Sequence, residues 1–233
     1  ITGGAGADNI DGGAGNDTIV GYTPGDTVNG GADKDTLQIT LAADLSALQT
    51  ALANDALIKD VEIIDLSGVP APNAANLDLT AQTEPGFTVI GTNQNDTITG
   101  SAGADSIFGG AGNDTINGFT AGDTVDGGAG TDTLVLTASL PGTPADNEIV
   151  NIETIDASGA AAGVAIDLSK QTEGFGAVVT KGVIGSNFDD TITGGDGADV
   201  IEGGKGNDNI VGGKGNDTIV GLVGKDTIDG GDN

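Results

Sequence analysis

Aliphatic residues recur along this chain at intervals of nine. Ile10, Ile19, Val28 and Leu37 form one such series; Ile98, Ile107, Ile116, Val125 and Leu134 a second; Ile192, Ile201, Ile210, Ile219 and Ile228 a third. Nearly every member has a polar residue immediately before it and an aspartate two positions before it. Polar–apolar–variable alternation over three residues predicts a short strand with one side chain turned inward. Glycine-rich segments between the strands predict tight turns. A strand in every nine-residue period is the mark of a parallel solenoid in which two periods complete one coil.

The three series divide the chain into arrays over 1–38, 91–135 and 185–233, with spacers over 39–90 and 136–184. In the first spacer, Leu45, Leu48 and Leu52 recur at helical spacing behind Asp44, so a short amphipathic helix over about residues 45–58, N-capped by Asp44, is expected. Short strands are expected at Val61–Leu66, Leu77–Leu79 and Phe87–Ile90, with Pro70, Pro72 and Pro85 marking turns. The second spacer repeats the first in outline. Asn151–Gly159 matches Asp60–Gly68, and Ile166–Glu173 matches Leu77–Glu84, but Pro141 and Pro144 interrupt the region where the helix would lie. The simplest arrangement continues the same solenoid through the spacers with longer turns, because about 50 residues make a marginal independent core. Ile1, Ile98 and Ile192 open equivalent array-plus-spacer units, and both ends of the segment read as cuts through an array. The expected fold is therefore all-β: a parallel β-roll or β-solenoid with irregular solenoid spacers and one short helix.

Composition supports a stack of thin coils. The chain holds 43 glycines but only five phenylalanines and one tyrosine. Tyr22, Phe108, Phe119 and Leu222 are read as local packing. Net charge is −28, from 35 acids against seven lysines, which makes nucleic acid and anionic membranes poor partners. No run approaches a membrane span. With no cysteine or histidine, disulfides and thiolate or imidazole metal sites are excluded.

The acids are not a diffuse solvated face. One aspartate stands at the sixth position of every phrase: Asp8, Asp17, Asp26, Asp35, Asp96, Asp105, Asp114, Asp123, Asp132, Asp190, Asp199, Asp208, Asp217 and Asp226. Phrases alternate sides, so each should stack on the phrase two along, with Asp17 facing Asp35, Asp105 facing Asp123 and Asp199 facing Asp217. At a coil spacing of about 4.8 Å, two facing carboxylates repel by about 3 kcal/mol at an effective dielectric of 20. A cation between them would remove that cost. Carboxylates plus carbonyls of a glycine turn make an all-oxygen site, which suits calcium better than magnesium or zinc.

The phrase is written twice over Gly203–Val220 as GGKGNDNIV GGKGNDTIV. It resembles the RTX (repeats-in-toxin) nonapeptide Gly-Gly-x-Gly-x-Asp-x-aliphatic-x. The resemblance implies a right-handed parallel β-roll with calcium between stacked turns, held by the sixth-position aspartates and by carbonyls of the glycine segment. Carried over residue by residue, those carbonyls belong to Gly4, Gly6, Gly13, Gly15, Gly110, Gly112, Gly128, Gly130, Gly195, Gly197, Gly204, Gly206, Gly213 and Gly215, with Gly212 and Lys214 beside them. About six to ten calcium ions per chain are expected, held with the modest affinity of extracellular modules. The phrases GYTPGD and GFTAGD, ending at Asp26 and Asp123, depart from the pattern, and Asp33 replaces a glycine, so their sites are expected to be weak or empty. Asp208 is expected to matter more for calcium than Asp26.

The resemblance further implies a secreted or cell-surface bacterial protein, exported by type I secretion and folded by calcium outside the cell. Two roles stay open. One is structural, in a surface layer, matrix or adhesin, with neighbouring copies in a lattice or filament as partners. The other is the secretion and folding domain of an exported toxin or hydrolase whose catalytic part lies elsewhere. An enzyme in this segment is not expected. The paired carboxylates recur identically along the stack, whereas an active site is singular. A phosphate cradle has the wrong charge sign and no P-loop lysine, and the outward threonine rank that ice binding needs is broken by Asn9, Phe108 and Glu202.

Overall fold

A computed structural model describes residues 1–172, 174–175 and 182–232. Among the described residues it is nearly all-β, a parallel β-solenoid with one short helix. The chain divides into two compact units: Ile1–Ile116 with Gly122–Gly130, and Asn117–Ala121 with Thr131–Asn233. Among the described residues, no helix is long and apolar enough to cross a membrane.

The first unit contains β1 (Asn9–Ala14), β2 (Thr18–Val20), β3 (Thr27–Ala32), β4 (Thr36–Gln38), α1 (Ala42–Ala51), β5 (Ile58–Lys59), β6 (Ile63–Asp65), β7 (Asn76–Asp78), β8 (Thr88–Ile90), β9 (Thr97–Thr99) and β10 (Ser106–Ala111). After β11 (Thr115–Asn117), β12 (Thr124–Ala129) returns to this unit. Strands pair in parallel with the phrase two along, so Asn9 lies beside Thr27 and Thr18 beside Thr36. Spacer strands are further rungs of the same ladder. Ile19, Leu37, Ile64, Val89, Ile107 and Val125 stand in continuous register across β2, β4, β6, β8, β10 and β12. Each is at most 2% exposed, and burying such a side chain contributes about 1.5–3 kcal/mol. The core is thus a column of single aliphatic side chains, one per rung, which explains how so few aromatics suffice.

The second unit repeats the design with β13 (Thr133–Val135), β14 (Ile149–Val150), β15 (Thr154–Asp156), β16 (Ala165–Asp167), β17 (Val183–Ile184), β18 (Thr191–Thr193), β19 (Val200–Lys205), β20 (Asn209–Val211), β21 (Thr218–Val223) and β22 (Thr227–Asp229). Leu134, Ile155, Val183, Ile201 and Ile219 form one column. Ile166, Ile192, Ile210 and Ile228 form the other.

The helix departs from its expected bounds. It starts at Ala42 and ends at Ala51, and its N-cap is Leu41, with no side-chain capping bond. Asp44 lies inside the first turn and is buried. Its carboxyl is pushed up from the usual range by burial and then by the charge of Asp26. Leu45 and Leu48 face inward as the spacing required. The helix stops short because Asn54 starts a turn, its Oδ1 accepting the Ala56 N–H and its carbonyl the Leu57 N–H. Ile58 is then freed to join the sheet beside Val28.

In the second spacer the described residues form no helix, yet the loop before β14 is fastened in the same way. Gln82 Nε2 donates to the Leu52 carbonyl, and Thr83 donates through its N–H and hydroxyl to Asp55. Correspondingly, Gln171 Nε2 donates to the Pro144 and Ala145 carbonyls, and Thr172 donates to Asp146. Glu173, the counterpart of Glu84, lies outside the described residues. Of the residues read as local packing, Tyr22 is buried, but Phe108 and Leu222 are about 40% exposed; Phe108 alternates away from the core, whereas Leu222 reaches toward Gly203 and Ile210 from a strand whose own residues are mostly exposed.

Candidate metal site in the glycine turns

Sixth-position aspartates are not at the mouth of their turns. Most are fully buried, including Asp26, Asp35, Asp96, Asp105, Asp123, Asp190, Asp199 and Asp208, all at 2% exposure or less. The stacking partners are those the period required, but the contact between them is asymmetric. Within the arrays Oδ1 accepts the backbone N–H of the aspartate one coil upstream, whereas at the starts of the second and third arrays Asp96, Asp105, Asp190 and Asp199 accept from Ala75, Phe87, Val164 and Phe175. Asp17 N–H donates to Asp35 at 2.8 Å, Asp105 N–H to Asp123 at 2.8 Å, and Asp199 N–H to Asp217 at 3.0 Å. Asp8 to Asp26, Asp96 to Asp114, Asp190 to Asp208 and Asp208 to Asp226 follow the same rule. In each such pair half of the downstream carboxylate is therefore engaged by a peptide dipole rather than opposed by another carboxylate, and the bare pairwise repulsion overstates the cost of stacking.

The second oxygen, Oδ2, sorts the aspartates into two kinds. Where the phrase carries serine or threonine at its second position, that residue satisfies the carboxylate. Thr92 N–H donates to Asp96 Oδ2 at 2.6 Å, Ser101 N–H to Asp105 Oδ2 at 2.7 Å, and Ser186 N–H to Asp190 Oδ2 at 2.7 Å, each with its hydroxyl on the same carboxylate. Thr23 does the same for Asp26, and the Gly195 N–H for Asp199. In five other glycine–glycine phrases the outcome differs from that of Asp199. Oδ2 of Asp8, Asp17, Asp35, Asp208 and Asp217 is buried and has no hydrogen-bond donor among the described residues.

The cause is local. In the phrases leading to Asp17, Asp35 and Asp208, the strand runs on through both glycines, so the second residue belongs to the ladder; Gly13 pairs with Gly31 and Gly204 with Leu222. The second glycine takes a left-handed conformation there, with φ of 98° at Gly13 and Gly204, which a β-carbon disfavours. The first glycine matters for a different reason. A Cβ on Gly212 would lie 2.5 Å from both Asp217 Oδ2 and the Gly230 carbonyl oxygen, and one on Gly12 would strike the Gly30 carbonyl. Only a residue without a side chain lets these two oxygens converge.

A buried carboxylate oxygen without a donor is costly, and a hard cation answers it. Among the described residues no three carboxylates gather, so such an ion would rest on one or two carboxylates supplemented by carbonyls. This donor set fits calcium, which accepts mixed carboxylate and carbonyl oxygens. Burial pushes the Asp208 carboxyl up, reinforced by the charges of Asp190, Asp226 and Asp189. Burial also raises Asp199, with Asp217 adding to it, and Asp96.

Of the expected carbonyl donors, those of Gly195 and Gly213 each already accept one backbone N–H across the coil, from Lys214 and Asp232, which leaves each a second lone pair. Asp33, expected to weaken its turn, adopts φ of 79°; it takes the left-handed conformation of the glycine it replaces, and Asp35 keeps the glycine-turn arrangement. Of the first-position carbonyls, that of Gly212 was expected; those of Gly30 and Gly230 were not.

Two further acids were missed. Glu62 Oε2 accepts the Asp35 N–H at 2.8 Å, and Glu153 Oε2 accepts the Asp132 N–H at 2.7 Å. Each fills the sixth position in the first coil after an array. The signal was present in the sequence: Glu62-Ile63-Ile64 and Glu153-Thr154-Ile155 place an acid two residues before an inward aliphatic, as Asp-x-aliphatic does elsewhere.

A family model described as the RTX calcium-binding nonapeptide repeat, in four copies, matches residues 1–23, 90–118, 105–134, 184–219 and 203–233, which together make up half of the chain. Comparison with curated proteins returned no match.

Proposed function

Because the chain belongs to the RTX calcium-binding nonapeptide-repeat family, we propose that it is a calcium-folded structural module of a protein that bacteria secrete or display, built into a surface layer, matrix or adhesin. The observation that carries this reading is the set of buried, donorless carboxylate oxygens at the glycine–glycine turns. Asp8, Asp17, Asp35, Asp208 and Asp217 would hold calcium, with first- and second-position carbonyls completing the oxygen set. The ion would supply positive charge where the chain itself has no donor, and so tie adjacent coils together.

The role is structural rather than catalytic, because the carboxylates recur as equivalent rungs and none is singled out. The matched Gln82–Thr83 and Gln171–Thr172 clamps support tandem array-plus-spacer units as building material. A secretion and folding domain attached to a toxin or hydrolase would need one array and no repeated clamp. Folding that depends on calcium suits export unfolded through a narrow channel, followed by folding where calcium reaches about 10⁻⁴–10⁻³ M or more.

Far-UV circular dichroism tests the reading. In EGTA the spectrum should be mostly coil, and calcium in the millimolar range should restore β signal. A spectrum unchanged by calcium would refute it.

A further inference from the structure

We propose that each spacer supplies a calcium half-site of its own, built on a glutamate, so that the array-to-spacer junctions at Asp35/Glu62 and Asp132/Glu153 bind calcium without a nonapeptide turn on the spacer side. The inference rests on the calcium-binding reading of the arrays and extends it to residues outside the family match, which leaves 24–89 and 135–183 uncovered.

At the first junction, Asp35 is fully buried and its Oδ2 has no donor among the described residues. The next coil offers no Gly-Gly-x-Gly turn to face it. It offers Asp60-Val61-Glu62. Asp60 takes φ of 48°, a left-handed conformation that reverses the chain within two residues of the glutamate. Its carbonyl then occupies the place held by a first-position glycine carbonyl within the arrays. A Cβ on Gly30 would collide with the Asp60 carbonyl oxygen and lie 2.7 Å from Asp35 Oδ2. These two oxygens therefore crowd the same side of Gly30, as the Gly30 carbonyl and Asp17 Oδ2 crowd Gly12.

Glu62 completes the likeness by accepting the Asp35 N–H. The shorter turn sets the carboxylate further back, and the extra methylene of glutamate restores its reach. A carboxylate without a donor, a carbonyl and a second carboxylate in contact with the first residue's peptide make a hard-oxygen set of the kind calcium takes.

The second spacer repeats the left-handed turn and the glutamate. Asn151 takes φ of 51°, Glu153 follows it by two residues, and Glu153 Oε2 accepts the N–H of the buried Asp132. The two spacers, which match over Asp60–Gly68 and Asn151–Gly159, thus keep Asp/Asn-x-Glu at the same rung. Asparagine and aspartate are the residues that tolerate the left-handed conformation best after glycine.

The test is an ion count on the whole chain, by equilibrium dialysis with atomic absorption, for the unaltered protein and for Glu62→Gln, Glu153→Gln, their combination and Asp208→Asn. Glutamine keeps an oxygen for the upstream N–H, so the rung survives, and circular dichroism at saturating calcium verifies this. Each glutamate variant should bind one ion fewer, and the double variant two fewer. Unchanged counts in both glutamate variants, while Asp208→Asn loses an ion, would overturn the junction sites and leave the array sites standing. No calcium bound by the unaltered chain would overturn both. Crystals of the unaltered chain grown in calcium give a reading that needs no variant. An anomalous peak within about 2.3–2.6 Å of carboxylate oxygens of Asp35 and Glu62 is expected. Peaks at the nonapeptide turns with none at either junction would overturn the proposal.

Discussion

Asp26 and Asp208 occupy the same position of the repeat, and the structure predicts that replacing them by alanine does opposite things. Asp26 is saturated by the protein. Its carboxylate accepts the N–H of Asp8 at 2.7 Å and that of Thr23 at 2.6 Å. Removing it leaves two backbone donors without acceptors. A hydrogen bond to a charged group contributes about 1.5–3 kcal/mol, so Asp26→Ala should cost about 3–6 kcal/mol whatever the calcium concentration. Asp208 accepts one such bond, from Asp190 N–H at 3.0 Å, and its Oδ2 has no donor among the described residues. Asp208→Ala should cost about 1.5–3 kcal/mol from the lost bond and, in addition, one ion. Each bound ion adds about 1.4 kcal/mol of stability per tenfold rise in free calcium above its dissociation constant. Urea unfolding over a range of buffered calcium above the folding midpoint separates the two effects. A plot of stability against the logarithm of calcium should shift down without change of slope for Asp26→Ala. For Asp208→Ala the slope should fall by about 1.4 kcal/mol per decade. Equal slopes for the two variants, or a slope lost at Asp26 and kept at Asp208, would refute the division of aspartates by their second oxygen.

Three other perturbations follow from the packing. Gly109→Ala would drive a Cβ into Asp114 Oδ2 and the Gly127 carbonyl; it should cost about 1–3 kcal/mol in urea unfolding with calcium present, whereas Gly159→Ala, where a Cβ meets nothing within 4 Å, should stay within about 0.5 kcal/mol. Ile155→Ala removes a fully buried rung between Leu134 and Val183 and should cost about 2–5 kcal/mol, read from the unfolding midpoint. Gln171→Ala removes both bonds to the Pro144–Ala145 loop; it should cost about 1–3 kcal/mol and speed amide exchange in residues 145–148 without altering the calcium count.

The repeat by itself determined the coil. A period of nine, with one aliphatic residue flanked by polar neighbours and glycines between, leaves one way to bury apolar surface: short parallel strands stacked in register with the phrase two along. The spacer strands at Ile63–Asp65 and Thr88–Ile90 were legible for the same reason, since alternation is a local signal. What the sequence left open was everything set by partners a coil away. The helix was read too far because only the pairing of Ile58 with Val28 shows that the chain has returned to the sheet. Glu62 and Glu153 have no glycine turn before them, and only their rung aligns them with Asp35 and Asp132. Above all, fourteen aspartates that are equivalent in sequence are not equivalent in the fold. In most of them one oxygen of the carboxylate is claimed by a peptide 18 to 26 residues away. The fate of the other depends on whether a residue of the same turn aims an N–H at it, as Thr23, Ser101 and Gly195 do, or none does, as beside Asp17 and Asp208. That is a competition for backbone hydrogen bonds between neighbouring coils, and only the stacked structure decides it.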